Sequence, residues 1–195
     1  MSNTISKHCR WTDTVIDILY NIFGGQQESV KEGGQHMSYD VLEICRYVIK
    51  YSNDMGYGVS NLKLQKLLYF IQVTWVVRRH ASCFDEDIVA WDFGPVVPRA
   101  YREYKSYGGM DIYTRDKYWY EDPKNPWNSR WIAYPECTIT DQDKDLINKV
   151  VDHFRGYSAT SMLRLTHQQS PWIDAYKKGN GTVITNESLW EYFHD

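Results

Sequence analysis

The stretch Asn61 to Phe70 (NLKLQKLLYF), continuing to Arg79, constrains the fold more than any other part of the chain. Leu64, Leu67, Leu68, Ile71 and Trp75 recur at helical spacing, which predicts an amphipathic helix with one wide buried stripe. Ser60 or Asn61 can cap its start, and Arg78, Arg79 and His80 stand where cations complement the carbonyl pole. A turn-rich run follows from Ala90 to Tyr101 (AWDFGPVVPRAY). Gly94-Pro95 reads as a chain reversal, and Pro98 suits the first turn of a new helix, where its missing N–H costs nothing. The rest of the chain is expected to pack around this helix, turn and helix.

With 195 residues the chain can build one sizeable core and is short for two, so one domain with an appendage is expected. A formal net charge of -3 gives no global pull toward nucleic acid or membrane. Apolar runs are broken by charge well before the roughly 18 residues that a span needs, and no signal-peptide order opens the sequence, so a cytoplasmic protein without membrane contact is expected. Cys9, Cys45, Cys83 and Cys137 are widely separated; no zinc site, disulfide framework or other metal or cofactor is expected. The unusual quantity is aromatic, with 8 Trp, 16 Tyr and 6 Phe. Half-exposed Tyr and Trp supply binding hot spots, which favours contact surfaces.

Residues 11–23 place Trp11, Val15, Ile18, Leu19 and Ile22 on one helical face, and the glycine-rich 24–36 (GGQQESVKEGGQH) has linker composition. Three readings of this helix compete: a strap on the main domain, a partner-binding arm, or sequence foreign to the native protein, since His36-Met37 resembles a cloning junction. The division is therefore 1–37, helix plus linker, and 38–195, the domain proper. Ser38 is the expected cap of a helix through Val41, Leu42, Ile44, Cys45, Val48 and Ile49, apolar on more than one side and so central. Asp85, Glu86 and Asp87 are consecutive and diverge in space, which reads as solvated charge. After Pro98, Tyr101, Tyr104 and Tyr107 alternate with Arg99, Arg102 and Lys105, either core aromatics with solvated cations or an exposed surface for an acidic partner. Residues 110–140 are rich in β-formers around a turn with two prolines, EDPKNPWNS, predicting a small antiparallel excursion near Trp119, Trp127 and Trp131. Helices follow with caps at Thr140 or Asp141, Ser158, Ser170 and Thr185 or Asn186. The fold class is mainly α (α+β): a compact helical domain, the β excursion, and a tethered N-terminal helix.

No phosphate-binding glycine loop, G-x-S-x-G elbow, H-E-x-x-H or C-x-x-C pair is present. Residue chemistry by itself names no function.

A series of motifs does. Asn61 to Phe70 is similar to the KLQKLLYY helix of the Panacea domain, the SocA-like antitoxin family, with Gln72 and Trp75 at its following polar and Trp positions. Phe84, Asp85, Glu86, Ile88 and Ala90-Trp91 resemble its LFxExIxAW segment. Gly94-Pro95-Val96-Val97-Pro98 with Tyr101 resembles its GPVVPxxY turn, and Leu165-Thr166-His167 with Pro171-Trp172 its LTHxxxPW element. Ile184 and Trp190 to Phe193 fall where that family closes. Residues 1–37 lie outside the pattern. The resemblance implies a small bacterial protein, often of a prophage or other mobile genetic element, that neutralises a cognate toxin by protein binding and has no catalytic activity. Some members act as adaptors, so a protease or chaperone stands as a further partner.

On this reading the expected contact residues are Trp91, Tyr101, Arg102 and Tyr104, or the N-terminal helix through Trp11, Val15, Ile18 and Leu19. The alternatives are a small enzyme with His167 and Asp174 or Glu187 near Trp91, and a DNA-binding autoregulator, which needs a contiguous basic face.

Overall fold

The computed structural model describes residues 38–120 and 122–194. The N-terminal helix and linker expected over 1–37, with Trp11, Val15, Ile18 and Leu19, lie outside the described residues. In chain order the elements are α1 (Val41–Asp54), α2 (Asn61–Arg79), β1 (Val89–Trp91), β2 (Gly94–Val96), α3 (Pro98–Tyr104), β3 (Lys117–Tyr120), β4 (Arg130–Ala133), α4 (Asp141–His153), α5 (Ala159–Thr166), α6 (Ser170–Lys178) and α7 (Asn186–Phe193). Short 3-10 turns occupy Lys105–Tyr107 and Pro126–Asn128. The fold is mainly α with a small β part, as the sequence predicts, and its two sheets are antiparallel pairs.

The centre is α2. The sequence predicts one buried stripe, but α2 is buried from Asn61 and Lys63 through Val76 on every side, because α1, α4, α5, α7 and the β1–β2 pair all pack on it. It is α1 that is amphipathic, burying Val41, Ile44, Cys45, Val48 and Ile49 and turning its other side outward, so the expectation of a central α1 is corrected. Burying α2 all round takes its polar side chains out of water, and each must find a partner. Gln65 Oε1 accepts from Val97 N at 3.0 Å, while Gln65 Nε2 donates to Asn61 Oδ1 at 3.0 Å. Asn61 Nδ2 donates to Tyr101 O at 3.1 Å, and Lys63 Nζ to Arg155 O at 3.2 Å. Gln72 Oε1 accepts from Cys83 N at 2.9 Å, and Tyr69 Oη donates to Gln169 Oε1 at 2.7 Å.

Helix starts follow side-chain capping. Ser60, Thr140, Ser158 and Thr185 each accept a backbone N–H. Two expectations change. Asp40 caps α1, with Oδ1 2.8 Å from Leu42 N, while Ser38 donates to Asp85. Gln169 precedes α6, which takes in Ser170 and Pro171. Cys45 and Cys83 are buried free thiols, and Cys137 is exposed. Among the described residues no group of three or more His, Cys, Asp or Glu could hold a metal ion, and no helix is long and apolar enough to cross a membrane.

The β3–β4 hairpin falls inside the expected excursion. Its register pairs Lys117 with Ala133, Tyr118 with Ile132, Trp119 with Trp131 and Tyr120 with Arg130. Neither strand is buried on either face.

Candidate functional site

The β1–β2 hairpin pairs Val89 with Val96, Ala90 with Pro95 and Trp91 with Gly94. The reversal therefore falls on Asp92-Phe93, two residues earlier than the Gly94-Pro95 reversal read from the sequence. Gly94 opens β2 at φ +90, where a Cβ would stand 2.7 Å from Lys66 Nζ and 2.9 Å from Thr166 Oγ1; only glycine fits the turn and the close approach of α2.

The hairpin is held from beneath, along its β1 edge and at its tip. From beneath, Lys66 Nζ donates to Pro95 O at 2.8 Å, next to the Gln65 bond to Val97. Along the β1 edge, Ala90 N donates to Thr182 O at 2.9 Å and Gly181 N to Ala90 O at 2.8 Å. At the tip, Asp92 Oδ1 accepts from Tyr176 Oη at 2.6 Å and Asn180 Nδ2 at 3.0 Å, and Trp172 Nε1 donates to Trp91 O at 3.1 Å. Trp172 lies between His167 and Tyr176, with ring centroids 3.9 Å and 4.8 Å away. Burial brings the Lys66 ammonium down to about 7. His167 is lowered as well, by burial first and by Lys66 second.

This fixed tip presents aromatic surface. Phe93 is 67% exposed, and Trp91, half-buried, meets Tyr101 edge-on at 5.2 Å. Arg102 is exposed on the same short helix as Tyr101. Tyr104 turns inward and is only 9% exposed, because residues three apart on a helix do not share one line; burial raises its phenol pKa. The structure thus joins Trp91 to Tyr101, leaves Arg102 nearby in sequence and open to solvent, and assigns Tyr104 to the core. Phe93 did not stand out by motif. Its signal is positional: a large apolar residue in a two-residue hairpin turn has no interior to enter.

The proposed acid–base residues do not converge. Asp174 pairs with Lys177 at 3.4 Å on the outer side of α6. Glu187 lines a depression with His80 and Trp190, whereas the His167 ring lies against Trp172 with Nε2 buried and without a hydrogen-bond partner. No hydrogen bond or ion pair connects these three among the described residues. Asp85, Glu86 and Asp87 likewise form no ligand set; Glu86 pairs with Arg99, which also reaches Asp40 at 2.7 Å.

The motif-bearing residues thus form a buried helix, the hairpin fixed to it, and parts of α5, α6 and α7 that pack around them. The chain belongs to the antitoxin SocA-like Panacea domain family, whose model matches residues 64–173. It is similar to antitoxin SocA of Caulobacter vibrioides, 32% identical over 78 residues, which is 40% of this chain and 42% of that protein. No solved structure matches.

Proposed function

We propose that this chain is the antitoxin of a toxin–antitoxin pair and that it neutralises a cognate toxin by direct protein binding through Trp91, Phe93, Tyr101 and Arg102. Family membership supports the antitoxin role. The observation that carries the surface is Phe93, largely exposed at the tip of a hairpin whose backbone is bonded from beneath, along one edge and at the turn. An aromatic anchor that is already fixed loses little conformational entropy on docking, and aromatic and Arg side chains are the common hot spots of interfaces. Tyr104, buried in the core, is left out of this surface. The N-terminal segment with Trp11, Val15, Ile18 and Leu19 is a second candidate arm, and delivery of the toxin to a protease or chaperone is a variant of the same binding.

The test is co-expression with the toxin encoded beside this gene, together with the affinity of the purified pair. Loss of a hot spot worth about 2 kcal/mol weakens Kd about 30-fold, so Phe93→Ala with Tyr101→Ala should abolish growth protection while the fold is kept. Full protection and unchanged affinity in that variant would remove this surface from the mechanism. Deletion of residues 1–36 tests the second arm in the same assay, and the toxin's cellular level separates covering from delivery to a protease.

A further inference from the structure

The β3–β4 hairpin carries the most exposed aromatic surface among the described residues. Trp127 is 95% exposed, Trp131 59% and Trp119 48%, and the last two pair edge-on at 5.7 Å across the strands. The toxin-docking hairpin described above uses none of these residues. A two-stranded hairpin with no buried face is marginal by itself, because independent stability takes a third strand or a packed face. The inner side is supported by the body: Tyr118 lies 5.1 Å from Tyr134, over whose ring Arg46 of α1 stands at 4.6 Å. Among the described residues the side bearing Trp119 and Trp131 has no such cover.

We propose that this tryptophan face is the interface between two copies of the chain. The first argument is area. A Trp side chain can bury about 250 Å², so the three indoles at their observed exposures offer roughly 500 Å². A standard interface takes about 800 Å² from each partner, and homodimer interfaces are about 65% apolar, which also comes to roughly 500 Å². The tryptophans therefore supply the apolar centre of a dimer of ordinary size. The second argument is charge. The segment 115–131 that carries the indoles also holds Arg115, Lys117, Lys124 and Arg130 with Asp116 and Asp122, exposed or half-exposed and in no ion pair among the described residues. A mixed rim can meet its own copy across a two-fold axis, whereas a nucleic-acid site needs one sign throughout. Asp122 is held by Lys124 N at 2.8 Å and Asn125 N at 3.1 Å, which fixes the turn that carries Trp127.

Sedimentation of the full chain between about 5 and 200 µM tests the proposal. The expected result is an apparent mass that doubles with concentration, with tryptophan emission shifting to shorter wavelength over the same range. Trp127→Ser with Trp131→Ser, both at exposed positions and so compatible with the fold, should stay monomeric throughout. A monomer at every concentration overturns the proposal, and so does a dimer that survives the double substitution. Neither result bears on toxin neutralisation, which is read by growth protection.

Discussion

Replacing Lys66 with methionine should remove a pH dependence of stability that this one amine creates. Its Nζ is buried in α2 and donates to Pro95 O at 2.8 Å, and burial lowers its pKa from 10.5 to about 7. The unfolded chain keeps the proton up to about 10.5, while the folded chain releases it above about 7. Between those values the unfolded state binds more protons, so stability rises with pH and falls as pH drops toward 7. Each pH unit within that window is worth about 1.4 kcal/mol at most. From pH 7.0 to 8.5 the contribution is between about 1 and 2 kcal/mol, because the amine is already half neutral at the lower end. Methionine keeps the volume of the stem and orphans one carbonyl, at a cost of about 1–3 kcal/mol that loss of the desolvated cation partly offsets. Urea unfolding followed by tryptophan fluorescence, on both proteins at both pH values, gives the difference directly. The wild type should gain between about 1 and 2 kcal/mol over the variant on going to pH 8.5, or roughly 2–8 °C in Tm. Comparing two proteins cancels the buried thiols of Cys45 and Cys83, and the lowered His153 and His167 titrate below the window. A gap that is the same at both pH values would refute the reasoning, since it would mean that the amine keeps its ordinary proton affinity inside the protein.

Two further perturbations test the packing. Asp143, 4% exposed, meets Arg79 at 2.5 Å and Tyr39 Oη at 2.5 Å, so Asp143→Ala takes an acceptor from both and should cost about 3–5 kcal/mol in chemical denaturation. Gly94→Ala adds a left-handed backbone penalty of about 1–2 kcal/mol to the clash with Lys66 and Thr166. Gly56→Ala, at φ +73 with nothing within 4 Å, should show the backbone penalty alone, so equal losses at the two glycines would discount the clash.

The helices were legible because their signals are local. Periodic leucines place α2, and Ser60, Thr140, Ser158 and Thr185 mark starts that the structure keeps. What escaped were features decided by neighbours. Whether α2 shows one buried stripe or none exposed depends on how many elements surround it, and its Lys63, Gln65 and Lys66 look solvent-facing until the loops that bond them arrive. Ser38 and Asp40 both have capping chemistry, and tertiary bonding to Asp85 decided between them. In the candidate site, Trp91 and Tyr101 could be named from sequence, but the spacing of three that linked Tyr101 with Tyr104 did not distinguish outward from inward. Phe93 needed the turn to be placed on residues 92 and 93 before its exposure could be seen.

Most of the polar bonds that α2 makes to other segments read main chain, Tyr69 to Gln169 and Gln72 to Asn186 being among the side-chain pairs. Gln65 bonds the amide of Val97, Lys66 the carbonyl of Pro95, Asn61 the carbonyl of Tyr101, and Gln72 the amide of Cys83. Such bonds are indifferent to the side chain that the bonded residue carries. The helix therefore dictates where the loop passes without dictating what its tip displays. Residues such as Phe93 and Arg102 make none of these bonds, so substitutions there should leave the template in place, and the crest can vary while the loop beneath it keeps its course.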